Sequence, residues 1–268
     1  MLAELLIGKA LLFGLVFTRM VGFLITSPFP SGEIPKTTKV GAALALTLFT
    51  VSTIPKTPEL VETLSASVNS LPLERLAGPL LTELLLGASV GFVSRIVLSA
   101  GEVAGELVGQ MTGLGSASLF NPLLGTQDTV VSRIFTLLAM MLLIGAGIHR
   151  EILAYLVQSF QAVPIGSGFT PGDAMPVVLD AVVGSVALGV RLAMPVVAIA
   201  LVLQAALAIV ARMAPSLQVF NVGFPMLIGV GLLTVMFSLH DVSIVLADHL
   251  RSIGPTIERY FDASVGPP

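Results

Sequence analysis

The stretch AGEVAGELVGQMTGLGSASLFNP, Ala100 to Pro122, sets glycine at Gly101, Gly105, Gly109 and Gly113, one every fourth residue. Residues four apart lie on one edge of an α-helix, so the stretch predicts a helix with a bare edge. Ala100 and Ala104 stand beside these glycines, and together they leave a groove that another helix backbone can approach closely. Two occupants fit it, a neighbouring helix of the same chain or a helix of another subunit. Glu102 and Glu106 also stand four apart; like charges at that spacing repel, so they need water or a cationic partner. Then Met111, Leu114, Leu119 and Phe120 offer deformable apolar surface, while Gly115, Ser116, Ala117 and Ser118 keep the backbone small as far as Asn121 and Pro122. Met and aromatic side chains re-pack around varied shapes. The segment suits a movable seal, or an ordinary Gly/Ser connector.

The surroundings of this stretch are apolar. Of 268 residues, 55% are hydrophobic and 11% charged, and mean hydropathy is +0.99. A soluble domain carries roughly a quarter charged residues, so this chain reads as part of a membrane or of a membrane complex, and its proline-punctuated apolar runs, with no strand pattern of any length, read as all-α. The net charge of −3 comes with no basic cluster suited to nucleic acid. Trp is absent and Tyr occurs twice, which leaves little for an interfacial aromatic belt and hints at limited bilayer contact. With no cysteine, disulfides, thiolate metal sites and cysteine nucleophiles are excluded. At the N-terminus, Glu4, Lys9 and Arg19 interrupt the apolar run and no A-x-A site follows; the segment is read as a retained first helix.

Apolar runs lie at about 5–26, 40–54, 80–98, 130–148, 152–163, 176–210 and 223–247. A spanning helix needs roughly 20 apolar residues, so 40–54 and 130–148 are short. The run 176–210 crosses at a steep tilt or breaks at Pro195. Prolines punctuate the connections 27–36, 53–59, 163–176 and 214–225, each removing a donor and disfavouring helix just before it. The tail DASVGPP reads as frayed.

Charges inside these runs carry a message. Glu83 and Arg95 sit in the run 80–98. Each costs about 2.5–3.5 kcal/mol at a helix centre, and the apolar residues around them return about 0.3–0.6 kcal/mol each. The sums are of similar size, so insertion as a lone helix is near break-even, and the helix suits protein neighbours better than lipid. Arg19 with Lys9, and Asp180 with Arg191, pose the same problem. Asp180 and Arg191 share a face three turns apart and are too distant to pair, so each snorkels, forms a buried ion pair, or meets another subunit.

Catalysis finds little support. GASVG, Gly87 to Gly91, matches G-x-S-x-G at Ser89. That motif belongs on a strand-to-helix turn, whereas here it lies inside an apolar helix and reads as chance. No His/Asp/Glu spacing suits a metal, and no cofactor is implied. A secondary transporter of small solutes is the serious alternative, since it too has Pro/Gly-broken helices and buried charges; a convincing internal repeat is missing.

Three stretches in order resemble the FliR/SctT family of type III secretion export-gate proteins. They are TRMVGFLITSPFPSGEIPKTTKVGAALALTL (18–48), GELVGQMTGLGSASLFNP within the opening stretch, and APSLQVFNVGFPMLIGVGL (214–232). The third favours the flagellar branch over the injectisome branch, and the similarity covers nearly the whole chain. The resemblance implies kinked helical hairpins that assemble with FliP and FliQ into a closed spiral pore in the bacterial inner membrane. The pore belongs to the flagellar basal body, is partly raised toward the periplasm, and passes unfolded flagellar proteins such as early rod substrates, with FlhB and FlhA as further partners. It implies no enzymatic activity in this subunit. It divides the chain into a FliP-like part, 1–172, a FliQ-like hairpin, 173–262, and a tail, 263–268. Carried onto this chain, the pore plug is Leu114 to Thr126, with Phe120 as its bulky element and Met111 at its root. Pro215, Asn221, Gly223 and Pro225 would form the hairpin turn. Arg19, Glu83, Arg95, Glu102, Glu106, Asp180 and Arg191 are the candidates for subunit contact.

Overall fold

The computed structural model describes residues 2–29, 35–53, 77–114, 129–165, 173–213 and 219–265. Among the described residues there is no strand. The helices are α1 (Leu2–Thr26), α2 (Lys36–Thr53), α3 (Ala77–Met111), α4 (Val130–Gly145), α5 (Ile148–Ala162), α6 (Met175–Met213), α7 (Val219–Leu250) and α8 (Ile253–Val265).

The glycine edge is helical. α3 runs on from the apolar run 80–98 through Gly109 to Met111, 35 residues in all. The helix-weakening glycines are tolerated because tertiary packing, rather than propensity, holds such a helix. Gly113 departs from the expected ladder. It lies beyond the helix with φ 77°, the left-handed conformation that ends helices. Its N–H donates to the Gln110 carbonyl at 3.2 Å, and that of Thr112 to Val108 at 3.0 Å. Three rungs are therefore edge and the fourth is the stop. At the start of α4, Thr129 is the N-cap, its hydroxyl accepting from Ser132 N–H at 3.1 Å.

The structure decides between the two readings of the run 176–210, because Pro195 lies inside α6, one helix of 39 residues with no break. The turn implied over Pro215–Pro225 does not extend that far, because α7 starts at Val219. Asn221, Gly223 and Pro225 are helical, and Pro215 lies outside the described residues. A proline costs one intrahelical bond, a loss that an apolar helix with satisfied flanking turns absorbs. The expected tail is also shorter, since α8 continues to Val265 with Ser264 buried. α8 buries Ile253, Ile257, Tyr260 and Phe261 on one side and exposes Glu258, Arg259 and Asp262 on the other. Such an amphipathic pattern escapes a search for long apolar runs.

The chain forms two compact units interleaved in sequence. One comprises Met1–Arg95, His149–Leu179 and Ile253–Pro268; the other Ile96–Ile148 and Asp180–Ser252. In the first, α1 packs on α2, and Met20, Phe23, Leu86, Val90, Ile152, Leu156 and Ile257 are buried. In the second, α4 packs on α7, and Val108, Phe135, Leu143, Val196 and Leu246 are buried. This is a partition by compactness; the 1–172 and 173–262 division concerns likeness to other folds.

Four segments are long and apolar enough to cross a membrane: Gly8–Thr26, Ala77–Met111, Met175–Met213 and Pro225–Ser264. They become five if α4 and α5 make one broken span. Protein covers 61% of the α3 window and 17% of the α6 window. α3 is thus the most covered of the four, and α6 leaves most of its apolar surface exposed.

The glycines separate into two kinds. A methyl built on Gly105 lies 2.6 Å from the Ser132 Cα and 3.0 Å from the Val131 carbonyl oxygen, whereas one on Gly184 meets nothing within 4 Å. Gly105→Ala should destabilise the protein by about 1–3 kcal/mol through overpacking. Gly184→Ala should stabilise it by about 0.5–1 kcal/mol. Thermal unfolding in detergent reads both as midpoint shifts of opposite sign.

Candidate functional site

The first polar constellation lies inside the first unit. Arg19 on α1 and Glu83 on α3 are 0% and 1% exposed, and Arg19 Nε donates to Glu83 Oε2 at 2.6 Å. Its Nη1 donates to Ser159 Oγ at 3.0 Å and its Nη2 to the Val163 carbonyl at 3.1 Å. Ser159 is ready to accept because its own hydroxyl proton goes to the Leu156 carbonyl, 2.6 Å away. The guanidinium lies 3.9 Å from the Phe160 ring centroid, within cation–π range. One guanidinium therefore joins α1, α3 and the end of α5.

Close backbones make this reach possible. A methyl on Gly87 would overlap the Arg19 carbonyl, one on Gly22 the Leu84 carbonyl, and one on Gly91 would lie 2.7 Å from the Phe23 carbonyl. Thr26 Oγ1 donates across the same seam to the Ala88 carbonyl at 2.7 Å. Gly87 and Gly91, met above as a chance serine motif, are a small-xxx-small pair. Ser89 between them donates to the Leu86 carbonyl of its own helix at 2.8 Å.

The second constellation is the glycine edge in the second unit. A methyl on Gly101 would lie 3.2 Å from Ala139 Cβ, and one on Gly109 would overlap the Thr129 hydroxyl. Within this chain the occupant of the edge is α4, with its N-cap. The helix end is held as well. Gln204 Nε2 on α6 donates to the Met111 carbonyl at 3.2 Å, and Thr112 is buried against Gly231 of α7, where a methyl would overlap its Cγ2.

Of the other expected positions, Leu114 lies in the turn after α3 and is partly buried, while Gly115, Ser116, Leu119, Phe120, Asn121 and Pro122 lie outside the described residues. Arg19 and Glu83, expected to face another subunit, face each other here. Arg95, Asp180 and Arg191 are exposed, and Glu102 and Glu106 are partly buried. Glu106 accepts from Gln110 Nε2 at 3.0 Å. No group of three or more His, Cys, Asp or Glu residues among the described residues could hold a metal ion.

Sequence reading missed Gly22, Ser159, Phe160, Gln204 and Gly231. A buried guanidinium has five donors to satisfy, which calls for acceptors on a third helix without saying which one.

The model of the family described as bacterial export proteins, family 1, matches residues 10–253. The chain belongs to this family. Among its relatives, the flagellar biosynthetic protein FliR of Aquifex aeolicus is 34% identical over 94% of this chain and 95% of its own length. FliR of Escherichia coli is 28% identical over 87% and 86%. The Yop proteins translocation protein T of Yersinia pestis is 24% identical over 97% and 100%. Membership in an export family displaces the small-solute transporter as a reading of this export protein.

Removing one partner of a buried ion pair costs about 3–5 kcal/mol, because the other charge is stranded, whereas an apolar replacement of both is often neutral. Glu83→Ala should therefore lower the unfolding midpoint sharply, and Arg19→Met with Glu83→Leu should restore most of it. Protease resistance of the membrane-extracted protein checks the order of the three.

Proposed function

We propose that this chain is a structural, non-enzymatic subunit of the flagellar type III protein export channel in the bacterial inner membrane, where it helps to pass unfolded flagellar proteins. The observation that carries this reading is the family match across residues 10–253, joined by FliR relatives aligned along most of their own length. The flagellar branch is favoured over the injectisome because the FliR relative from Aquifex is the more similar at nearly equal coverage.

On this reading the chain assembles with FliP and FliQ into a closed spiral, partly raised toward the periplasm, with FlhB and FlhA alongside. Residues 1–172 take the FliP-like role and residues 173–262, which include α6 and α7, the FliQ-like hairpin. The outward apolar side chains of those two helices, among them Val202, Met213, Met236 and Phe237, support a surface made for other helices or lipid. Asp180 and Arg191 on α6, with Arg95, supply polar contacts to neighbouring subunits. Leu114 to Thr126 is the plug, with Phe120 as its bulk. It is supported by the firm stop of α3 at Gly113 and the capped start of α4 at Thr129, which give the segment between them two defined ends. Energy for transport comes from partner subunits or the proton gradient.

Deleting Gly115–Ser118, or making Phe120→Ala, should raise small-ion conductance through the assembled complex; unchanged conductance would remove the plug assignment. Co-expression is the second test. The chain should survive purification only with FliP and FliQ, seen as one hetero-oligomeric mass in native mass spectrometry, and a stable lone monomer would contradict the assembly.

A further inference from the structure

We infer that Gln204 of α6 and Gly231 of α7 clamp the C-terminal end of α3, with Gln204 as the positioning residue for Met111. The last carbonyls of a helix have no intrahelical partner. In α3 the stop at Gly113 comes one turn after the glycine edge and leaves the Met111 carbonyl at the helix end. Its donor is the Gln204 amide at 3.2 Å.

Gln204 is the only polar side chain between Arg191 and Arg212, in a span of mean hydropathy 2.5. A lone amide in apolar surroundings is costly unless it is hydrogen-bonded. Gln204 is exposed on α6, and its amide and the helix-end carbonyl satisfy each other in a bond open to the surroundings of the chain.

The second jaw is steric. Thr112, the residue after Met111, is buried, and its hydroxyl donates to the Val108 carbonyl at 2.8 Å. Its methyl sits where a side chain at Gly231 would be. Gly229, two residues earlier and so about 200° around the same helix, has nothing within 4 Å of a built methyl; the contact with Thr112 is made at Gly231. Hydrogen bond and steric seat act on adjacent residues from two different helices. Together they fix both the position and the rotation of the end of α3, which then moves only as α6 and α7 move. The consequence for the pore rests on the plug reading above; the clamp itself does not.

The absence of cysteine allows a clean test in membranes of cells expressing the whole export apparatus. A methyl built on Gly231 lies 3.1 Å from Thr112 Cβ, a few tenths short of the disulfide range of about 3.5–4.5 Å. The pair Thr112→Cys with Gly231→Cys should therefore cross-link on mild oxidation. Gln204→Leu and Gln204→Glu remove the donor and should slow cross-linking about fivefold, the change in population that one ordinary hydrogen bond supports. Gln204→His keeps a ring N–H at similar reach and should cross-link as the parent does.

A reference pair, Gly101→Cys with Ala139→Cys, has a built separation of 3.2 Å and should be indifferent to all three changes. Unaltered cross-linking at 112 and 231 in the Leu and Glu variants overturns the clamp, as does an equal fall in the reference pair, which would mark general loosening. Should Gln204→Leu not accumulate, the Glu and His variants carry the comparison alone. Loss of cross-linking with unchanged ion conductance keeps the clamp and removes the plug.

Discussion

Everything described here depends on how near another backbone can come to α3. Between helices in an apolar setting the hydrophobic effect gives little net drive, so association relies on close packing and on hydrogen bonds that such packing permits. α3 has no side chain at Gly87 and Gly91 in its first half, nor at Gly101, Gly105 and Gly109 in its second. In the first unit the carbonyls of Arg19 and Phe23 occupy the vacated space, and in the second it is taken by Val131, Ser132 and Thr129. The Arg19–Glu83 pair follows from this. Glu83 lies one turn before Gly87 on the same face, and α1 comes close enough for a 2.6 Å contact only because Gly87 does not hold it away.

That contact also answers the break-even insertion sum for the run 80–98. A carboxylate at Glu83 is unaffordable against lipid but acceptable against a guanidinium that is itself bonded to a serine, a carbonyl and a ring face. The charge is therefore a marker of the interior. α6 shows the opposite arrangement, with its charged residues Asp180, Arg191 and Arg212 exposed and little of its apolar surface covered within the chain. Its backbone bonds are satisfied internally, so lipid and apolar helices are both suitable neighbours.

The helical class and the placing of most helices were legible in the sequence, because long apolar runs between prolines leave few alternatives. The bare edge at Gly101, Gly105 and Gly109 was legible too, through its period of four. What stayed hidden shares a physical cause: its meaning depends on a partner distant in sequence. Ser159 and Phe160 look like ordinary members of an amphipathic helix until Arg19 arrives between them. Gln204 looks like an isolated blemish in an apolar span until the carbonyl of Met111 is placed beside it. Gly113 continues the period of its predecessors, and only its φ of 77° separates stopping from packing. α8 was hidden for a different reason, since its polar outer face breaks the apolar run that a length criterion seeks. Pro225 misled because proline was read as an end, although a helix with enough turns on both sides survives the loss of one bond.

Glycine thus serves two opposed ends within four residues at the end of α3 and just beyond it. At Gly109 it permits close contact with Thr129 on its bare edge, and at Gly113 it lets the chain leave the helix altogether. An apolar side chain at Gly109 would push away the N-cap of α4, and a β-carbon at Gly113 would resist the left-handed turn. The two demands meet at a point where α3, α4, α6 and α7 of one unit all contribute contacts: Gly109 on Thr129, Gln204 on Met111, and Gly231 on Thr112. On the plug reading proposed above, motion at the base of that segment would be transmitted to every helix packed there, so a fixed end of α3 is the condition for freedom further along the chain.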